Sequence, residues 1–347
     1  MIRGLPFAAV RGLKEGGRRL APGPGASDMD FPVAGVTVSP LVPFGWAIFV
    51  GVVFSVVGAA GGILAVVGHI SVLGLADANM VKTMSQVVTI VSPLCSVPLY
   101  HRQRRVIFFL GLLFGAGGIA GALVGSWAST RYLPDLRAYR QVFGLLTLAV
   151  AGRLLYELAP RYRASQGVLE RSVAAFEFAM ARCRDEGRLG EMKRLGVRML
   201  ERSVSVVRFQ FFGETFSFNP SVAVIAGLAV GVVSSSFGVG GGFLLVPFLV
   251  SIFKFPVFIV AGTAVFSVLL SSTASVGNYL NLGSRIDWPL MAIEVAGVAL
   301  GSLAGPYLST FMKGLWLRSA LTLILIYIGM GYVFGEFIHA HLGFRVI

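Results

Sequence analysis

The stretch Ser234-Ser-Ser-Phe-Gly-Val-Gly-Gly-Gly-Phe-Leu-Leu-Val-Pro247 lies inside an apolar run that extends from Ser221 to Phe253. A helix over the whole run would be about 50 Å long at ~1.5 Å per residue, against a hydrocarbon core of ~30 Å. One simple span cannot absorb that length, and a break at Gly238 to Gly242 removes the excess. Glycine permits positive φ and close backbone approach. A half-helix starting near Phe243 presents unpaired N–H groups at the positive end of its dipole. An anion is the natural occupant of such a break. The alternative reading is that the glycines only allow helices to cross tightly.

The rest of the chain supports a membrane setting. Of 347 residues, 56% are hydrophobic and 44 are glycine, while 13% are charged, about half the ~25% of a soluble domain. Mean hydropathy is +0.81. A soluble enzyme, a disordered chain and a small disulfide scaffold are all excluded. Cys95 sits in an apolar run and Cys183 in a charged one, so no disulfide is expected. The four histidines have no metal-ligand spacing, and neither a metal nor a cofactor is expected. HExxH, P-loop and GxSxG signatures are missing, which argues against an enzyme.

Apolar stretches begin near Phe44, Met80, Val106 and Tyr139, and again near Ser221, Val257, Trp288 and Leu315. The expectation is an all-α polytopic membrane protein with about eight transmembrane helices in two groups of four. Residues 160–218 between the groups are dense in Arg and Glu. Val168 to Arg184 and Leu189 to Phe212 show helix-like apolar spacing, so a helical insert is expected there. The division is a basic flexible tail at 1–39, a first repeat at 40–159, the insert at 160–218, a second repeat at 219–338 and a short tail at 339–347. If the eight spans alternate sides, most of the 29 basic residues fall on the side of the N-terminal tail. The positive-inside rule then makes both termini and the insert cytoplasmic. Topology thus accounts for most of the net charge of +13, which in a soluble chain would suggest nucleic acid.

A duplication organises the chain. With an offset of 180 and no gap, Pro40, Gly51, Ser55, Gly58, Gly61 and Gly62 pair with Pro220, Gly231, Ser235, Gly238, Gly241 and Gly242. Thr83, Ser92 and Arg105 pair with Thr263, Ser272 and Arg285, and Gly117, Gly121 and Gly125 with Gly297, Gly301 and Gly305. Four spans is an even number, so the two copies are expected to be parallel repeats entering the membrane from the same side. The GxxxGxxxG stripes read as helix packing.

Gly58, Gly61 and Gly62 would form the first-repeat counterpart of the break at Gly238, Gly240, Gly241 and Gly242. Neutral donors follow in both copies: Thr83, Ser85, Gln86, Thr89 and Ser92, then Thr263, Ser267, Ser271 and Ser272. As a cluster they suit an anion that must also be released, although a single membrane hydroxyl commonly bonds its own helix. Lys82 reads as a snorkelling interfacial lysine or an attractor of anions. Glu294 is the acid expected deep in a span, a candidate for proton coupling or a residue paired with Arg285 near the boundary. His69 is a second group able to titrate.

These residues resemble the sulfite exporter TauE/SafE family, also described as 4-toluene sulfonate uptake permeases. The resemblance rests on GxGGGF-x-x-VP at Gly238 to Pro247, on Ala261-Gly-Thr263 with its Ser-rich continuation, and on the duplicated unit. It covers about 40 to 158 and 219 to 336. The first copy departs from the motif, with Ala60 where Gly240 stands and Val67 where Pro247 stands. The resemblance implies a bacterial inner-membrane carrier, often an exporter, for sulfite, organosulfonates or related small sulfur-containing anions. The expected substrate site is Gly238, Gly240, Gly241, Gly242, Thr263, Ser271, Ser272, Gly58, Gly61, Gly62, Thr83 and Ser92, at the interface of the repeats. The expected partners are a small anionic substrate and membrane lipid, with a homodimer and a cytoplasmic partner of the insert as further candidates and no nucleic acid. The alternative function is a membrane-anchored receptor or scaffold acting through the insert.

Overall fold

The computed structural model describes residues 28–57, 61–102, 105–159, 197–203, 205–211, 214–255, 257–308 and 314–342. The elements in chain order are β1 (Met29–Phe31), β2 (Val36–Val38), α1 (Leu41–Val57), α2 (Gly61–Val67), a π-helical turn (Gly68–Val72), α3 (Ala78–Arg102), α4 (Phe108–Tyr132) and α5 (Leu136–Leu158). They continue with β3 (Arg198–Arg202), β4 (Val207–Phe211), β5 (Glu214–Phe218), α6 (Pro220–Phe237), α7 (Gly242–Ser251), α8 (Val257–Asn281), α9 (Trp288–Leu308) and α10 (Gly314–Leu342). Among the described residues α3, α4, α5, α6 and α8 are long and apolar enough to cross a membrane.

The two overlong runs turn back on themselves. In the first, a Cβ on Gly61 would meet Phe54, and one on Gly68 would meet the Trp46 ring. The Trp46 indole N–H donates to Leu64 O at 3.1 Å. Later residues of α2 therefore lie beside earlier residues of α1, and the two form an antiparallel helical hairpin. The second run does the same. Gly241 faces Val230 and Ser234. Leu249 and Phe255 share a buried cluster with Ala223 and Phe218, and the Phe218 and Phe253 rings are 6.0 Å apart. The break is a reversal of direction, not a pause within one span.

That reversal changes the expected topology. The start of α1, the end of α2 and the start of α3 lie at one end of the molecule, here the first end. There the Thr83 hydroxyl meets Ser284 Oγ at 2.7 Å, and Lys82 Nζ donates to Leu133 O at the end of α4 at 2.6 Å. The second copy starts from the opposite end: α6 runs alongside α4 in the same direction, with Gly117, Gly121 and Gly125 against Val224 O, Leu228 O and Val232 O. Likewise Gly297 and Gly301 of α9 meet Phe44 O and Ile48 O of α1. The 180 offset converts one set of contacts into the other. Two copies that start from opposite ends are inverted relative to each other, which corrects the expected parallel layout. The cause is that a hairpin leaves three through-running helices per copy, an odd number, where the apolar runs alone predict four. The stripes pack backbone against backbone, as small residues every four positions allow.

Two further expectations are corrected. In the tail, β1 and β2 form an antiparallel hairpin whose Phe31 is buried. Its Val33 and Ala34 amides donate to Asp287 Oδ2 at 3.1 and 3.0 Å. Residues 29–38 are thus docked at the first end and are not a flexible tail. In the insert, the helix expected over Leu189 to Phe212 gives way from Arg198 onward to an antiparallel sheet ordered β3-β4-β5. The deciding pattern is period two: Val207, Phe209 and Phe211 are buried, whereas Arg208 is exposed. Phe209 meets the Phe255 ring at 5.1 Å, so this sheet caps the second end. Val168 to Arg184 lies outside the described residues. Among the described residues the docked hairpin and the β3-β4-β5 sheet therefore stand at opposite ends of the helices.

Candidate functional site

The tips of the two helical hairpins meet beside the middle of α3 and α8. A Cβ on Gly62 would lie 1.6 Å from Val239 O and 3.0 Å from Thr89 Cγ2. Gly240 faces the same Thr89 methyl at 3.0 Å and Val268 Cγ1 at 3.2 Å. Only glycine fits at 62, and at Gly238 and Gly240 positive φ values of 69° and 64° add a backbone reason. Gly238 ends α6 in the left-handed conformation, its amide and that of Val239 donating to Ser235 O and Ser234 O at 3.2 and 3.1 Å. Those two amides are therefore used within the cap. Gly241 and Gly242 open α7, whose dipole has its positive end at the crossing.

Polar side chains knit the crossing. The Thr89 hydroxyl donates to Gln86 O at 2.8 Å and lies 3.0 Å from Ser272 Oγ. Gln86 Nε2 donates to Ser234 O at 3.3 Å. Ser235 Oγ bonds Ala122 O at 2.8 Å and meets Ser275 Oγ at 2.7 Å, tying the second tip to α4 and α8. Matching anchors hold the two tips: the Tyr100 hydroxyl donates to Ser55 O, and the Tyr279 hydroxyl to Ser235 O.

Of the expected site residues, Gly62, Gly238, Gly240, Gly241, Gly242 and Ser272 come together here. Gly58 lies outside the described residues, and Gly61 packs on Phe54 of its own hairpin. The others stand elsewhere. Thr83 bonds Asn79 O and Ser284 at the first end. Thr263 bonds Ile259 O and accepts the Ile107 amide at 3.0 Å near the second end. Ser271 turns to Val268 O and lines the contact with Gly118. Ser92 meets Ser302 Oγ at 2.8 Å, on the side of α9. Each of these hydroxyls has a local partner, the commoner fate of such groups in apolar helices.

Lys82 does not snorkel. It is fully buried, its Nζ bonding Leu133 O and Asn79 Oδ1 and lying 4.9 Å from the centre of the Tyr139 ring. Its backbone presses on Gly238, so it acts as a strut between the end of α4 and the second tip. Glu294 pairs with His69, not with Arg285: His69 Nε2 is 3.0 Å from Glu294 Oε2, and His69 Nδ1 is 2.8 Å from Ser85 Oγ. Both side chains are buried. The sequence marks each of them alone, and nothing in it links two residues 225 positions apart. Among the described residues, no three His, Cys, Asp or Glu side chains gather as a metal site would require.

Comparison with known proteins adds the following. The family described as Sulfite exporter TauE/SafE matches residues 43–332. The chain is 23% identical over 253 residues to the probable membrane transporter protein YunE of Bacillus subtilis, covering 72% of this chain and 79% of that one. It is 32% identical over 105 residues to the probable membrane transporter protein MJ0441 of Methanocaldococcus jannaschii, covering 28% of this chain and 37% of that one. No solved structure matches.

Proposed function

We propose that this chain, which belongs to the sulfite exporter TauE/SafE family and is with it a multi-pass membrane transporter, is a secondary carrier that exports a small sulfur-containing anion such as sulfite or an organosulfonate. The observation that carries the reading is the crossing itself: two helical hairpins entering from opposite ends meet tip to tip at Gly62 and Val239. Inverted repeats with interrupted helices at their interface are a recurrent way to build alternating access around one central site. In this reading the described conformation is closed at the crossing. Withdrawal of one tip opens a path to one end, and the anion then lies against the start of α7, with Thr89 and Ser272 as neutral donors. For an exported anion an inside-negative potential helps by ~2.3 kcal/mol per charge per 100 mV.

The location in this reading is the bacterial inner membrane. The second end, with the insert, is assigned to the cytoplasm and the termini to the opposite side. The segments belonging to the second end carry eighteen of the 29 basic residues, including Arg102, Arg104, Arg105 and the eleven from Arg161 to Arg208. This reverses the termini from the expectation read off eight alternating spans. With Cys95→Ser as background, an impermeant maleimide should label Cys183 only after cells are opened. Labelling in intact cells would reverse the assignment.

The transport reading is tested with purified protein in liposomes. Radiolabelled sulfite and short sulfonates should exchange across the membrane at a rate that Gly240→Val lowers at least tenfold while the protein stays folded. If wild-type protein moves none of these anions, the substrate class is wrong. If Gly240→Val exchanges normally, the crossing is not the path.

A further inference from the structure

His69 lies in the π-helical turn at the end of the first hairpin's return arm, Glu294 on α9 and Ser85 on α3. The turn contains a Leu73 N–H to Gly68 O bond of 2.8 Å spanning five residues, the geometry of π-bulges, which often mark functional positions. A histidine and a carboxylate buried together are an unusual expense in an apolar bundle. With neutral imidazole and ionised Glu294, the pair carries one uncompensated negative charge; with imidazolium it carries none. The hydroxyl at Nδ1 serves both states, because it can donate to a bare nitrogen or accept from a protonated one by rotating its hydrogen. The pair can therefore gain and lose one proton without displacing a heavy atom.

The other charged and titratable groups on the elements around it are engaged or remote. Lys82 of α3 bonds the Leu133 and Asn79 oxygens. Asp77 caps the start of α3 through the Asn79 and Met80 amides. Asp287, before α9, accepts from Val33, Ala34 and Leu290, and Asp30 accepts from Thr37. Tyr332 of α10 meets Ser71 at 2.7 Å, with Arg140 of α5 4.9 Å over its ring. Arg285 is exposed. On α1, the Trp46 indole bonds Leu64 O.

Resting on the transport reading above, we propose that His69 and Glu294 form the proton-binding site of the carrier, and that holding the proton favours the packed position of the first hairpin. Proton uptake removes the buried net charge at the contact between the return arm and α9; proton loss restores it and loosens that contact. The site has polarity. The 180 offset places Leu249 and Phe114 at the equivalent positions of the other copy, so only the first hairpin senses protons, and from the first end.

The test uses full-length protein in liposomes with an entrapped pH dye and radiolabelled sulfite. In wild type, sulfite accumulation should follow an imposed pH gradient, and a sulfite gradient should move protons. Glu294→Gln should lower gradient-driven accumulation and proton movement at least tenfold while sulfite–sulfite exchange stays within about threefold. His69→Gln should behave likewise. Retained pH coupling in either variant overturns the proposal, and so does loss of exchange together with coupling in a protein of unchanged melting temperature, which would place the pair on the anion path. Absence of all sulfite and sulfonate exchange in wild type is a separate result: it removes the substrate reading. In that case the proposal stands or falls on whether Glu294→Gln abolishes protonophore-independent proton flux into the liposomes.

Discussion

The two hairpins correspond under the offset of 180 residues, yet their return arms are held in different ways. Every residue of α2, from Gly61 to Val67, is buried, and polar bonds pin the arm's end: His69 to Glu294 and Ser85, and Ser71 to Tyr332. The docked β1–β2 hairpin adds Phe31 to the same buried cluster as Ile70 and Leu73. The α7 arm instead borders a cavity of about 390 Å³ lined by Leu146, Val150, Arg153, Phe243, Pro247 and Ser251. There the Arg153 guanidinium donates to Ser251 Oγ. Backbone symmetry has thus been kept while the side chains diverged. A polar, covered arm is suited to respond to charge, and an apolar arm beside open space is suited to move with little change in hydrogen bonding.

The comparison can be broken most directly at the tips. Gly62→Val puts carbon where Val239 O stands, and backbone cannot give way as a side-chain end can. The expected result is loss of exchange by more than a hundredfold and a clearly lower melting temperature. Near-normal exchange would mean that the tips are not in contact in the working protein. A second effect is confined to the first hairpin. Asp287→Ala leaves the Val33 amide and the buried Ala34 and Leu290 amides without their acceptor, at a cost of about 2 kcal/mol. Hydrogen exchange should rise at 29–38 and in the arm beneath it, with no change in α7. The smallest change sharpens the symmetry: Tyr100→Phe and Tyr279→Phe each remove one bond to the matched carbonyls of Ser55 and Ser235. Each should cost about 1 kcal/mol, and melting curves should show equal shifts. A threefold difference would show that the two anchors are no longer equivalent.

Much of the helical content was legible because hydropathy reports apolar length well. The helix contacts of the glycine stripes were legible because small residues at fixed spacing let backbones touch. The spacing of Gly117, Gly121 and Gly125 predicts packing, and they do pack, against Val224 O, Leu228 O and Val232 O. The direction of the chain after each break was not legible. A run with glycines in the middle has the same hydropathy whether it continues or reverses, and that single ambiguity inverted the expected relation of the halves. In the insert, Val207, Phe209 and Phe211 alternate as a strand should, but spacing over a longer window also suited a helix. At the site, hydroxyl type was legible and partner choice was not. Thr263 and Thr83 bond loops near the two ends, whereas Thr89 and Ser272 reach the crossing.

The pairings α1 with α9 and α4 with α6 have a consequence for the order of assembly. Each joins a helix of one half to a helix of the other, across roughly a hundred to two hundred and fifty residues of chain. When the first half has been synthesised, the faces of α1 and α4 that will hold these contacts still meet lipid. Neither half can complete itself by local contacts, and such distant pairings slow folding. The protein therefore closes only once its last helices have been inserted, as two interlocked strands of a clasp and not as two domains finished in turn.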